Sequence, residues 1–210
     1  MASPPMKIEG PVYVVDDDDA VRDSLTMLLE AAGLRVEAFA TGAEVLVRCR
    51  DERPDCVITD VRMPGMDGLQ LQQRLAQLHA QLPVIVITGH GDVPLAVRAM
   101  KAGAVDFIEK PFSDEVILAS IEAAARGRRG AGSGAIAGEF ADRLARLTAR
   151  ERDVFHQLIV GHPNKVVAFN LGISARTVEI HRARVMEKLE VRSLPELVRQ
   201  AIEAGVEMPS

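Results

Sequence analysis

The sequence predicts two folds in tandem: an α/β unit built on a doubly wound, five-stranded parallel sheet, followed by an all-α unit. Three observations carry this. Up to residue 126, short Val/Ile-rich runs alternate five times with segments of helical period. A glycine-rich tract, Gly127-Arg128-Arg129-Gly130-Ala131-Gly132-Ser133-Gly134, then interrupts the pattern, and beyond it only helical periodicity recurs. Parallel neighbours need crossover helices, and continuous Val/Ile runs suit strands covered on both faces. A chain of 210 residues also exceeds the usual domain size of about 100 to 150 residues. The expected division is 11–126, a flexible linker over 127–137, and 138–210.

Each element follows from its local pattern. Residues 11–16, Pro-Val-Tyr-Val-Val-Asp, read as a buried strand running into four acids, Asp16 to Asp19, and then a helix over 20–32 stopped by Gly33. A short strand over 36–39, a helix over 43–50 closed by Pro54, and a strand over 56–59 follow. The spacing of Leu71, Leu75 and Leu78 predicts a helix over 69–78. Val84 to Thr88 is the next strand, left through Gly89-His90-Gly91. A helix over 93–102, a strand over 105–108 and a helix over 113–126, with Ser113 placed to cap it, complete the first unit. Helices are then expected over 140–147, 149–160, 165–171, 175–189 and 194–203. Thr148 and Glu151 form a capping box at the start of the second of these.

Composition narrows the partners. No apolar run approaches the roughly 18 residues of a membrane helix, and the start, Met1-Ala2-Ser3-Pro4-Pro5-Met6, lacks the apolar segment of a secretory signal. The two cysteines, Cys49 and Cys56, have neither metal-type nor redox-type spacing. A reduced, cytoplasmic setting without membrane contact is expected. The net charge of -5 is unevenly distributed: residues 1–126 hold 12 basic against 20 acidic side chains, 127–137 hold 2 against none, and 138–210 hold 11 against 10. Only the C-terminal part has enough positive charge to meet nucleic acid, provided it gathers on one face.

The polar ends of the first, third, fourth and fifth strands carry Asp16 with Asp17, Asp60, Thr88, and Glu109 with Lys110. In open α/β sheets ligands bind beyond the carboxyl ends of the strands, so these residues are expected on one rim. Singly, each has an ordinary explanation: Asp60 as a turn residue, Asp16 to Asp19 as acids at a helix N-terminus, Lys110 as a loop cation. On four strand ends together they describe a site. Carboxylates brought together repel, and a hard divalent cation resolves the conflict. Mg²⁺ accepts one or two carboxylates, a backbone carbonyl and a phosphoryl oxygen while keeping several waters. An Asp carboxylate is a competent nucleophile toward phosphorus, so Asp60 is the candidate phosphoacceptor, with Lys110 and Thr88 holding other phosphoryl oxygens.

Through Asp16-Asp17, the run Thr59-Asp60-Val61-Arg62-Met63-Pro64-Gly65-Met66-Asp67-Gly68, Thr88-Gly89-His90-Gly91-Asp92 and Lys110-Pro111-Phe112, residues 11–126 resemble the receiver domain of two-component response regulators. The resemblance implies a flavodoxin-like fold and phosphoryl transfer from a histidine kinase to Asp60. It implies Mg²⁺ (or Mn²⁺) on Asp17, Asp60 and the carbonyl of Arg62, with Asp16 acting through water. Thr88 would bond the phosphoryl group and Lys110 would pair with it. Phe107 falls at the family's switch aromatic, although a core Phe on a strand reads the same way. Dimerisation is also implied, with Val97, Lys101 and Asp106 as candidates on the face formed by the helix over 93–102 and the strand over 105–108.

In the second unit, Lys165 to Leu171, the turn Gly172-Ile173-Ser174, and Ala175 to Leu189 read as helix, turn, helix with Ser174 as N-cap. At 3.6 residues per turn, Val178, His181, Val185 and Leu189 share one face. Arg176, Glu179, Ile180, Ala183 and Arg184 lie opposite. That outer face mixes cations for phosphates, a Glu able to accept from cytosine, and apolar groups for a thymine methyl. Thr177, Arg182, Lys188 and Lys165 are further phosphate candidates. A solvated helix with charge pairs four residues apart is the alternative. His181 is expected in the core.

Residues 147–199 resemble the LuxR-type helix-turn-helix domain, through Leu147-Thr148-Ala149-Arg150-Glu151-Arg152, Asn164-Lys165, Ile173-Ser174 and Arg176-Thr177-Val178-Glu179-Ile180-His181. Both halves together are similar to regulators of the NarL/FixJ class. Ala175 stands where that family often has Pro, Arg184 where Asn is usual, and His162-Pro163 replaces a more regular turn. The resemblance implies an activator that binds promoter DNA as a phosphorylated homodimer, works with RNA polymerase, and serves nitrogen-fixation or microaerobic genes. Two other classes fit parts of the sequence. A Mg²⁺-dependent phosphohydrolase would share the nucleophile, Lys and Thr, but Arg62 occupies the place where haloacid-dehalogenase-type phosphatases put a general acid. A receiver whose helical unit makes only protein contacts is the other.

Overall fold

A computed structural model describes residues 8–89, 93–127 and 133–207, with the side chains of all but 126, 127 and 133–137. Of these, 8–89 with 102–127 form one compact unit, and 93–101 with 133–207 form another. The elements in the first half are β1 (Val12–Val15), α1 (Asp19–Ala31), β2 (Val36–Phe39), α2 (Gly42–Asp51), β3 (Cys56–Asp60), α3 (Gly68–Leu78), β4 (Val84–Thr88), α4 (Val93–Lys101), β5 (Asp106–Glu109) and α5 (Asp114–Gly127). The second half is helical: α6 (Ser133–Ala145), α7 (Ala149–Val160), α8 (Asn164–Leu171), α9 (Ala175–Leu189) and α10 (Leu194–Glu203).

The sheet order is β2-β1-β3-β4-β5, and every neighbouring pair is parallel. This is the flavodoxin-like doubly wound order, which reverses between β1 and β3. Every residue of β1, β3 and β4 is buried, whereas the edge strands β2 and β5 are partly open. Their unbroken Val/Ile runs follow from that double-sided cover. Val12, Val14, Ile58, Ile85, Ile87 and Ile108 pack with Leu25 and Leu29 of α1 and Ile117 and Ile121 of α5. Each such side chain contributes about 2 kcal/mol through burial. The register pairs Val15 with Thr59, Asp60 with Ile87 and Thr88 with Glu109, which brings the strand ends to one rim.

Helix ends match the local chemistry. Asp18 caps α1 by accepting from the Ala20 N–H at 2.9 Å. Asp67 and Gln70 form a capping box at α3, and Thr148 and Glu151 form the expected one at α7. Apart from α6, every boundary falls within one residue of the sequence expectation. β5 starts one residue later, at Asp106, and α6 begins at Ser133 rather than 140. Of the expected linker 127–137, residues 128–132 lie outside the described residues, and 133–137 are helical. Phe140, fully buried, anchors this helix, and Gly134 and Gly138 are accommodated within it.

Candidate functional site

Asp16 follows β1 and Asp60 ends β3, both almost fully buried. Lys110, just past β5, reaches both: its Nζ donates to Asp16 Oδ2 at 2.6 Å and to Asp60 Oδ1 at 2.8 Å. Burial alone would lower the ammonium pKa, but the hydrogen bonds and charges of Asp16 and Asp60 outweigh it and raise it. The Lys110 N–H donates to the Thr88 carbonyl at 2.7 Å, tying the lysine to the end of β4. Thr88 itself is fully buried. The other oxygens of the two acids are also held. Asp60 Oδ2 accepts from the Arg62 N–H at 2.5 Å, and Asp16 Oδ1 accepts from the Asp18 N–H at 3.0 Å.

The loop after β3 has the same purpose. A Cβ on Gly68 would lie 2.1 Å from the Asp60 carbonyl oxygen, so only glycine lets α3 start against the strand end. Gly65 has φ +81, a left-handed turn that L side chains rarely adopt. Both glycines stand in the run that carries Asp60.

The expected trio of carboxylates is not assembled as such. Asp16 and Asp60 meet through Lys110, while Asp17 is exposed, and among the described residues no three His, Cys, Asp or Glu side chains gather into a metal-binding group. The ammonium satisfies two carboxylates and leaves the third in water. Two carboxylates against one ammonium still carry a surplus negative charge. With the Arg62 peptide in the same turn, this hard oxygen set fits Mg²⁺. Phe107 is buried, at the residue paired with Val86. His90 to Asp92 lie outside the described residues. Of the dimer candidates, Val97 is buried and Lys101 exposed. Asp106 is half-buried, and its carboxylate accepts from the Phe107 N–H at 2.8 Å and from the Ser120 hydroxyl.

In the helical unit, Gly172 takes φ +64 at the end of α8, and Ser174 Oγ caps α9 by accepting from the Thr177 N–H at 3.1 Å. Val178, Val185 and Leu189 are fully buried on the inner face of α9; His181 is half-buried there. Arg176, Glu179, Ile180, Ala183 and Arg184 are exposed on the outer face, and Lys165 is exposed on α8. Thr177 is half-buried, and Arg182, also half-buried, donates to Asn164 Oδ1 at 3.5 Å.

Lys188 is placed differently: its Nζ donates to Glu151 Oε2 at 2.6 Å. Sequence reasoning saw Glu151 only as a capping residue, because its partner lies 37 residues away and no local pattern announces it. Two arginines were missed for the same reason. Arg150 donates to the Leu171 carbonyl at the end of α8, and Arg143 to the Leu189 carbonyl at the end of α9.

Residues 12–122 match the response regulator receiver domain family, and residues 145–201 match the bacterial regulatory proteins of the luxR family. The chain belongs to the response regulators, joining a receiver domain to a LuxR-type regulatory domain. It is similar to the transcriptional regulatory protein FixJ of Bradyrhizobium diazoefficiens, with 48% identity over 96% of this chain and 98% of that one. FixJ of Azorhizobium caulinodans is 50% identical over 93% of each chain. Among solved structures, full-length FixJ from B. japonicum aligns with a TM-score of 0.54 at 47% identity, covering 96% of this chain and all of that one. Membership in this family of transcriptional regulators disfavours the phosphohydrolase reading. Among the described residues no helix is long and apolar enough to cross a membrane.

Proposed function

We propose that this chain is a cytoplasmic, phosphorylation-controlled activator of transcription. The observation that carries the proposal is the Asp16–Lys110–Asp60 constellation in the same chain as a helix-turn-helix with an exposed basic and polar face. A cognate histidine kinase supplies the phosphoryl group. The phosphorus–nitrogen bond to the kinase imidazole breaks, an Asp60 carboxylate oxygen forms the new bond to phosphorus, and the imidazole leaves. Asp16, Asp17, Asp60 and the Arg62 carbonyl would hold Mg²⁺ (or Mn²⁺), which neutralises phosphoryl charge when bound. Lys110 releases one carboxylate contact and pairs with the phosphoryl oxygens, and the Thr88 hydroxyl donates to another.

Phosphorylation then biases a two-state receiver through Thr88 and Phe107. Homodimerisation through Val97, Lys101 and Asp106 follows, and the dimer matches two half-sites in promoter DNA. Arg176, Thr177, Glu179, Ile180, Ala183 and Arg184 face the duplex, with Lys165 and Arg182 at phosphates. The relatives, named as transcriptional regulatory proteins, support a role in transcription; on our reading the chain is an activator that works with RNA polymerase on nitrogen-fixation or microaerobic genes. The test is incubation with acetyl phosphate and Mg²⁺ followed by intact-mass measurement. Wild type gains one acid-stable, base-labile phosphoryl group and Asp60→Asn gains none. Equal labelling of both proteins overturns the assignment.

A further inference from the structure

We propose that Lys188, although basic and on the recognition helix, makes no contact with DNA phosphate, and that Lys188 and Glu151 together are positioning residues that fix α9 on α7. The proposal rests on the DNA-binding reading above. It starts from burial: the Glu151 side chain is only 4% exposed, whereas that of Lys188 is 36% exposed. A carboxylate so far from water needs a full set of partners. Glu151 has two strong donors, both on one oxygen: Oε2 accepts from Lys188 Nζ at 2.6 Å and from the Thr148 N–H at 2.8 Å.

The placement favours both charges. Glu151 lies in the first turn of α7, where the helix dipole favours an anion, and Lys188 lies in the last turn of α9, where it favours a cation. The pair therefore joins the start of one helix to the end of the other. Between these ends, Val154, Phe155 and Leu158 of α7 and Val178, Val185 and Leu189 of α9 are fully buried. The Lys188 hydrogen bond, followed by the Thr148 N–H, holds the Glu151 carboxyl well down, to about 2. It stays ionised across the working range, and its charge cancels that of Lys188 before any phosphate is met. Arg176 and Arg184 are exposed by contrast, so theirs are the α9 charges offered outward.

Salt dependence separates the two roles, because each phosphate contact adds about 0.9 to the slope of log Kobs against log salt. The measurement uses the full chain, treated with acetyl phosphate and Mg²⁺, on poly(dA-dT) duplex. The key variant is Glu151→Gln/Lys188→Met. Gln still accepts from the Thr148 N–H, as a capping box allows, and the variant removes both charges together. The expected result is a slope equal to wild type and affinity within about threefold, while Arg176→Ala, which removes one contact from each subunit of the bound dimer, lowers the slope by about 1.8. Lys188→Met alone strands the buried carboxylate, so it lowers the melting temperature of the helical unit without changing the slope. A slope reduced by about 1.8, one contact from each subunit, in the double variant identifies Lys188 as a phosphate ligand and overturns the proposal. Wild type that shows no salt-dependent binding overturns the DNA reading instead, a separate outcome.

Discussion

Two lysines in this molecule sit against buried carboxylates, and the contrast between them separates the proposed phosphoacceptor site from the proposed structural joint. Lys110 in the α/β unit faces two acids, Asp16 and Asp60, and leaves a negative charge uncompensated. Lys188 in the helical unit faces one, Glu151, and leaves none. On the function proposed above, the first arrangement takes a cation and a phosphoryl group. The second is electrically complete and serves only to hold two helices. Burial, distance and donor type are nearly the same in both, so the ratio of charges is what distinguishes them.

The difference can be sharpened by breaking each site in turn. Lys110→Met leaves two buried acids facing each other and is expected to destabilise the α/β unit by about 4 kcal/mol. Urea unfolding followed through Tyr13, the single tyrosine in a chain without tryptophan, reads this unit alone. Adding Asp16→Asn should recover most of the loss, and no recovery would show that Lys110 acts through something other than charge. Gly68→Ala places a methyl against the Asp60 carbonyl and is expected to cost about 2 to 3 kcal/mol while slowing phosphorylation of Asp60. Unchanged phosphorylation in that variant would show that the loop does not set the position of the acid.

Effects in the helical unit are smaller. Ser174→Ala removes the α9 cap and is expected to cost about 1 kcal/mol, seen as faster hydrogen exchange in the first turn of α9. Smallest at neutral pH is the titration of Glu151, whose carboxyl is held at about 2 against an ordinary 4.5. Its folded value is the lower one, so its stabilisation is complete above about 4.5 and is lost as pH falls toward about 2. Protection against hydrogen exchange in α7 and α9, taken relative to the intrinsic rate at each pH, should fall over that window in wild type and change less in Glu151→Gln.

The sequence was most informative where chemistry is carried by the order of the chain. The five strands, their parallel order and the acids at their ends follow from Val/Ile runs and from what ends them. Asp60, Asp16, Lys110 and Thr88 came from residue type at a strand end, and the topology brought them together. The outer face of α9 came from helical period. What remained hidden were contacts made across the fold. Glu151 with Lys188, Arg143 with the Leu189 carbonyl and Arg150 with the Leu171 carbonyl each join residues on different helices, and periodicity reports only on the helix it belongs to. The start of α6 was missed because glycine weakens a helix by about 1 kcal/mol per residue without forbidding it. Asp16 and Asp17 both follow the end of β1, where adjacency alone does not say which acid is buried: Asp16 is, and Asp17 lies in water.

The most direct test of the switch is the affinity for a promoter duplex before and after phosphorylation, in wild type and in Asp60→Asn, at one fixed salt concentration. A coupled switch predicts a gain of about tenfold or more for wild type on treatment with acetyl phosphate and Mg²⁺, and none for Asp60→Asn. An equal gain in both proteins, or none in wild type that carries the phosphoryl group, would contradict it.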